Sequence, residues 1–135
     1  MSPPLVVDAP VLVLYLFCMA DEIGIAAQLN FNKYGVSVMR SLNGIFNVTG
    51  TRYSAKVLDI GTVAELVAMD DMTTVGFVLI KNIDATNFIS VGDDGVNFPI
   101  KILPEEFCMF RLSGNTLYLM ADTAACNAEV TMVEE

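Results

Sequence analysis

The sequence predicts an all-β protein, an antiparallel β-sandwich that follows an apolar N-terminal arm. Short runs rich in β-branched and aromatic residues recur at roughly 8- to 12-residue intervals, which is the spacing of a sandwich or barrel. Within these runs apolar and polar residues alternate, so that one set of side chains faces a core and the other faces solvent. Turn residues separate the runs, and no sustained helical period follows Asp21.

The first 20 residues form the predicted arm. Residues 11–20 are apolar without interruption and cover about half of the roughly 20 residues that a membrane-spanning helix needs. A signal peptide is disfavoured, because no Lys or Arg precedes the run and Asp21 follows it directly. The run fits a buried edge strand, an ordered arm on a neighbouring subunit, or an arm that docks into a larger assembly. The residues expected to contact another subunit are Val11, Leu12, Leu14, Leu16 and Phe17.

Residues 21–135 are predicted to form one β-sandwich domain, because a single core usually holds about 100 to 150 residues and no linker divides this segment. Segment 77–81 is almost entirely apolar, which indicates a central strand covered on both faces. Pro99 cannot donate a ladder hydrogen bond, so segment 96–102 belongs at an edge or contains a bulge. The predicted strands cover residues 23–31, 35–41, 45–48, 53–60, 64–69, 77–81, 88–91, 96–102, 107–112, 116–120 and 129–133.

The connections between these strands carry recognisable turn signals. Asn43-Gly44, Asp94-Gly95 and Gly114-Asn115 supply residues that adopt the positive φ angles of tight hairpins. Segment 63–71 also fits a helix, because Thr62 is followed three residues later by Glu65 in the spacing of a capping box. A strand over residues 64–69 is the preferred interpretation.

Composition excludes several classes of function. Sixteen Asp and Glu against seven Lys and Arg give a net charge of −9, which repels nucleic acid and anionic membranes. The absence of histidine removes the commonest general base and metal ligand, so we expect no enzyme. A hydrophobic content of 54% exceeds what a small soluble monomer needs, so part of the apolar surface is expected to meet another chain.

No motif restores a catalytic, cofactor or metal site. The acidic pairs Asp70-Asp71, Asp93-Asp94 and Glu105-Glu106 are sequence neighbours, and neighbours on a strand point to opposite faces. A carboxylate pair that acts on one sugar must instead face it together. Segment 92–97 is rich in oxygen ligands that suit calcium, but an ordinary hairpin turn explains the same residues.

The cysteines point to a reducing environment. Cys18, Cys108 and Cys126 are odd in number and widely spaced, unlike a secreted disulfide framework. We expect reduced, buried thiols that pack as small hydrophobic groups in a protein folded in a reducing cytoplasm.

The second half of the chain resembles a group of small bacteriophage virion proteins, over about residues 62–135. In that group the same elements recur in the same order: a strand ending in Lys-Asn, an Asp-Ala-Thr-Asn turn, a strand ending in Val-Gly, a Pro-Ile-Lys segment, a Phe-Arg-Leu strand and a final strand before Thr-Ala-Ala. Here these elements are Lys81-Asn82, Asp84-Ala-Thr-Asn87, Val91-Gly92, Pro99-Ile-Lys101, Phe110-Arg-Leu112 and Leu117 to Ala125. The chain departs from the group at Leu119-Met-Ala-Asp122, where a basic residue is usual.

The resemblance implies a jelly-roll or related β-sandwich with a structural role on a virion. A non-enzymatic capsid decoration or cement subunit is the leading expectation. The alternatives are a neck, tail or baseplate component, or a module that binds host glycan. The partners implied are the major capsid protein or other virion proteins. The chain itself is expected to form a homo-oligomer, with a trimer favoured, in virions assembled in the bacterial cytoplasm.

Overall fold

The computed structural model describes residues 22–135, which are built from β-strands and loops without helix. The chain divides into two compact units between Val48 and Thr49. The described residues 22–48 form a hairpin unit, and residues 49–135 form a sandwich unit. The strands are β1 (Ile23–Lys33), β2 (Val36–Phe46), β3 (Tyr53–Ile60), β4 (Glu65–Leu66), β5 (Val75–Asn82), β6 (Ile89–Gly92), β7 (Ile100–Ile102), β8 (Phe107–Arg111), β9 (Tyr118–Ala121) and β10 (Cys126–Glu134).

The hairpin unit is a long two-stranded ribbon. β1 and β2 pair antiparallel from Ile23 opposite Phe46 to Lys33 opposite Val36. The two residues between them, Tyr34 and Gly35, both have positive φ, as a two-residue type I′ turn requires.

The turn predicted at Asn43-Gly44, and the separate strand predicted over residues 45–48, are therefore wrong. Asn43 and Gly44 lie inside β2, where they pair with Ala26 and Ile25. The chain already reverses at Gly35, so this Asn-Gly dipeptide serves as ordinary strand residues.

The sandwich unit contains two four-stranded antiparallel sheets. One has the order β3-β10-β5-β8, and the other has the order β4-β9-β6-β7. Most connections within this unit cross from one sheet to the other. Of its strands, only β6 and β7 are neighbours both in the sequence and in a sheet. The prediction of an antiparallel β-sandwich is confirmed.

The core of the sandwich comes from alternate residues of both sheets. On β10 the inward positions Cys126, Ala128, Val130 and Met132 are all fully or almost fully buried. The period of two places these side chains on one face, and their burial supplies most of the stability of such a fold. The opposite sheet contributes buried side chains to the same cluster: Ile89, Val91, Ile102, Leu119 and Ala121.

Three detailed expectations have mixed outcomes. β5 is a central strand, as predicted, but Leu79 on its outer face is 39% exposed, so only one face is covered. β7 lies at a sheet edge, as predicted, but it covers only Ile100–Ile102 of the predicted segment 96–102 and begins directly after Pro99. The helix considered over residues 63–71 is absent, because Glu65 and Leu66 pair with β9 and the Val67 amide donates to the Leu117 carbonyl.

Candidate interaction surfaces

The hairpin is amphipathic across its two faces. Residues that pair directly share a face, so the register sorts every side chain of the ribbon. One face carries mainly amide, hydroxyl and small side chains, including Gln28, Asn30, Ser37 and Ser41, and we call it the second face. We call the other the apolar hairpin face; it comprises Ile23, Ile25, Ala27, Leu29, Phe31, Lys33, Val36, Val38, Arg40, Leu42, Gly44 and Phe46.

The apolar hairpin face is exposed along its length. Leu29 and Leu42 are 64% and 61% exposed, although both are large aliphatic side chains. The Phe46 ring lies across Gly44, so the end of the ribbon away from the turn has an apolar cover over its glycine. An exposed apolar area of this extent marks an interaction site more often than an ordinary protein surface.

The sandwich exposes a second apolar area on the solvent side of the sheet β3-β10-β5-β8. Tyr53 is 76% exposed, Phe107 is 70% exposed and Val57 is 59% exposed. We call this area the outer sheet face; its apolar members are Tyr53, Ala55, Val57, Phe77, Leu79, Phe107, Met109 and Val133.

Charged side chains punctuate the outer sheet face without dividing it. Glu129 pairs with Val57 on one side and Lys81 on the other, in the middle of the sheet. Shallow depressions of about 290 and 210 Å³ lie on this face, and both are bordered by Glu129 and Thr131. Arg111 stacks over Phe77 with its guanidinium carbon 4.8 Å from the ring centroid. A surface with shallow apolar depressions and a few charged side chains suits a protein partner better than a small ligand.

A third depression, of about 240 Å³, lies at one end of the sandwich and includes Asp93, Arg111 and Ser113 in its wall. Its volume is below the roughly 300 to 1,000 Å³ that ligand pockets usually have. It lies next to the loop considered for calcium. Within that loop the Asp94 carboxylate accepts hydrogen bonds from the amides of Val96 and Asn97 and from the Asn97 side chain.

The other acidic pairs also hold local structure. Asp70 accepts hydrogen bonds from Lys56 at 2.6 Å and from Ser54 at 2.5 Å. Glu106 accepts from the Leu103 amide at 2.9 Å. Across residues 22–135, no group of three His, Cys, Asp or Glu side chains is arranged to hold a metal ion.

Two buried polar side chains join distant parts of the sandwich. Glu134, at the end of β10, accepts hydrogen bonds from the amides of Thr73 and Thr51. Asn82 donates to the carbonyls of Asn87 and Ile102 and accepts from the Asp84 amide. Both residues therefore join loops to strands through buried or half-buried hydrogen bonds.

Hydrogen bonds lower the pKa of four carboxyl groups. The amides of Asn87 and Thr86 lower the pKa of Asp84, and those of Asn97 and Val96 lower the pKa of Asp94. Lys56 and then Ser54 lower the pKa of Asp70, and the amides of Thr73 and Thr51 lower the pKa of Glu134. In each case the bonds favour the ionised form over the neutral one.

These shifts predict loss of stability in acid. Each carboxyl has a lower pKa in the folded chain, so the unfolded chain takes up protons first as the pH falls. We expect a nearly constant melting temperature from about pH 7 to pH 5 and a decline below about pH 4. Asp94→Asn should lower the melting temperature at pH 7 and reduce its change between pH 7 and pH 3. Asp93→Asn keeps the Asp94 hydrogen bonds and is the control. If the melting temperatures of the two variants change equally between pH 7 and pH 3, the prediction is contradicted.

The residues predicted to contact another subunit, Val11, Leu12, Leu14, Leu16 and Phe17, lie outside the described residues, as does Cys18. Of the described cysteines, Cys126 is buried and Cys108 is half-buried, and both are free thiols. Burial raises the pKa of each, which keeps the thiol in its less reactive protonated form.

Sequence reasoning missed the apolar hairpin face. The alternation of Ile23, Ile25, Leu29 and Phe31 was a readable signal. The matching stripe on β2 was hidden, because the turn predicted at Asn43-Gly44 divides that strand.

No protein-family model, curated protein or solved structure matches this chain. Residues 22–135 also contain no apolar helix of membrane-spanning length. The fold and its surfaces define an all-β protein with a long amphipathic hairpin and an acidic sandwich, each of which exposes an apolar face.

Proposed function

We propose that this protein is a non-enzymatic structural subunit of a bacteriophage virion, most specifically a decoration or cement subunit of the capsid. The observation that carries the proposal is the outer sheet face, where Tyr53, Val57 and Phe107 expose large apolar areas on a rigid sheet. Monomeric proteins rarely leave such contiguous areas open to water. The resemblance of residues 62–135 to small virion proteins supports the choice of assembly.

The stability that a cement subunit adds to a shell depends on the apolar area that its contacts bury. Each square ångström of apolar surface removed from water contributes about 25 cal/mol, so even a modest contact repeated at every joint of a shell stabilises it. The chain contains no histidine, the commonest general base, which fits a role that depends on contact alone. Asp70, Asp94 and Glu134 are engaged in hydrogen bonds that hold loops and strands.

The finer fold within this proposal is a jelly roll. The support is the strand order of the sandwich, whose eight strands run from β3 to β10. The first strand pairs with the last, the last with the third and the third with the sixth, while the second, seventh, fourth and fifth form the other sheet. Two interlocked Greek keys in eight strands produce this order.

The partners follow from charge as well as from apolarity. The net charge of −9 disfavours direct contact with packaged nucleic acid, so the partner is the major capsid protein or another virion protein. We further propose that the subunit works as a homo-oligomer, with a trimer as the expected unit on the capsid. It would assemble with the virion in the bacterial cytoplasm.

A particle-binding assay tests the proposal. Purified chain is mixed with capsids that lack it, the particles are sedimented, and the bound chain and the melting temperature of the particles are measured. We expect the chain to bind heads and raise their melting temperature. Binding to isolated tails instead, or no change in head stability, would contradict the decoration assignment.

A matched pair of variants tests the surface. Leu79→Glu places a charge on the central strand β5 of the outer sheet face, opposite Thr131 and Met109, and is expected to weaken binding to heads by about 100-fold, because a buried unpaired charge is strongly unfavourable. Val96→Glu adds the same charge at an exposed loop residue, 81% exposed, and should bind as the unmodified chain does. Equal binding by both variants would exclude the outer sheet face as the contact.

A further inference from the structure

The apolar hairpin face points to a contact with a second copy of this chain. An isolated two-stranded ribbon is marginally stable in water, and this one has an exposed apolar side. We infer that two copies pack their apolar hairpin faces against each other, with the ribbons antiparallel, so that the turn of one ribbon lies at the open end of the other.

The two faces of the ribbon fit this packing. In a β-sandwich, each sheet turns one apolar face to the other sheet and one polar face to water. The hairpin has most of this division, with Leu29, Phe31 and Leu42 on one side and Gln28, Asn30 and Ser41 on the other; Met39 and Ile45 are the large apolar residues of the second face. A second copy supplies an identical apolar face, and the pair then exposes the second face, which is mainly polar.

The area is sufficient for a specific contact. At about 3.4 Å per residue, strands that pair from Ile23 to Lys33 make a ribbon about 37 Å long. Burying the large exposed side chains at about 100 Å² each removes roughly 1,200 Å² from two copies, the lower end of standard interfaces. The side chains counted are Leu29, Phe31, Val36, Val38, Leu42 and Phe46.

The charges along the ribbon select the antiparallel arrangement. Lys33 and Arg40 both belong to the apolar hairpin face; Lys33 lies next to the turn, and Arg40 lies nearer the middle of the ribbon. A parallel pair would bring Lys33 directly against Lys33 and Arg40 against Arg40. The antiparallel pair places the two Lys33 side chains at opposite ends of the interface and offsets the two Arg40 side chains along it.

This contact is independent of the proposed virion function, because it concerns the purified chain alone. It is isologous, so each contact joins copies in pairs. It can link two single chains, or two trimers through three such contacts. The measured mass in solution is therefore expected to be an even multiple of the mass of one chain.

Analytical ultracentrifugation of two matched variants tests the surface. Leu42→Asp places a carboxylate on the apolar hairpin face and is expected to weaken association by at least about 100-fold. Ser41→Asp places the same charge one residue away on the polar face and should associate as the unmodified chain does. Circular dichroism melting checks that both keep the sandwich folded. An odd-numbered oligomer, a monomer at high micromolar concentration, or equal association of both variants would overturn the inference.

Disulfide trapping tests the orientation. A chain with Lys33→Cys is mixed with a chain with Phe46→Cys under mild oxidation, and the cross-linked peptides are mapped by mass spectrometry. We expect a disulfide that joins position 33 of one chain to position 46 of the other, because the antiparallel pair brings the turn of one ribbon to the open end of its partner. The Lys33→Cys chain alone is the control and should form few 33–33 disulfides. A dominant 33–33 disulfide, or no 33–46 disulfide in the mixture, would exclude the antiparallel pairing, whatever the result of the particle assay.

Discussion

Replacing Asn82 with Ala is expected to destabilise the sandwich by about 2 to 4 kcal/mol, because it leaves the buried carbonyl of Ile102 and two half-buried backbone groups, of Asp84 and Asn87, without their partner. Asn82 is completely buried. Its side-chain amide donates to the Asn87 carbonyl at 2.8 Å and to the Ile102 carbonyl at 3.2 Å, and its oxygen accepts from the Asp84 amide at 2.9 Å. Alanine can make none of these hydrogen bonds, and water has little access to the buried Ile102 carbonyl.

The effect extends beyond one residue. Asp84 accepts hydrogen bonds from the amides of Thr86 and Asn87, so the turn over residues 84–87 is a small network anchored to the core through Asn82. Loss of the anchor loosens the link between β5 and the edge strand β7, whose Ile102 carbonyl is one of the acceptors. We therefore expect faster amide hydrogen exchange in this turn as well as a lower global stability.

Urea denaturation, followed by circular dichroism, measures the change. Asn127→Ala is the control, since Asn127 is an exposed residue of β10 and surface substitutions usually change stability by less than about 0.5 kcal/mol. One unpaired buried group costs at least about 1 kcal/mol. If the free energy of unfolding of Asn82→Ala lies within about 1 kcal/mol of that of the unmodified chain, the role given to the Asn82 hydrogen bonds is contradicted.

The sequence predicted well what local composition determines. β3 occupies residues 53–60 as predicted, and β8 was predicted to within one residue. In both, the signal is a short run rich in β-branched and aromatic residues between turn residues. Alternation does not identify the buried face, since Tyr53, Ala55 and Val57 of β3 are exposed. The pairing of β3 with β10 had no such signal, since it joins strands from opposite ends of the sandwich.

The candidate site was harder to predict than the fold. The apolar hairpin face depends on the turn at Tyr34 and Gly35, and a non-glycine residue with positive φ is uncommon. The outer sheet face depends on strand order, which brings Val57, Leu79 and Phe107 onto one surface from three strands. Each strand alone predicts which residues alternate, but not whether their outer side meets a second layer.

Replacing Gly92 with Ala is expected to destabilise the sandwich by about 3 kcal/mol, at the upper end of the usual range for added atoms in a packed site. Gly92 is buried at the end of β6, and a Cβ atom there would overlap the backbone oxygen of Asn97 and lie 3.1 Å from Phe98. A backbone oxygen cannot rotate away as a side chain can, so β6 or the loop after it must shift.

The shift is opposed from two sides. Asp94 holds the loop over residues 93–99 through three hydrogen bonds, and β6 is paired on both edges, with β7 and β9. Gly61→Ala is the matched control, because its Cβ would meet only the end of the flexible Glu65 side chain, at 3.2 Å. Thermal unfolding should separate the two variants clearly. If Gly92→Ala is as mild as Gly61→Ala, the loop after β6 yields more easily than its hydrogen bonds imply, and the close approach of Asn97 is not what requires glycine at this position.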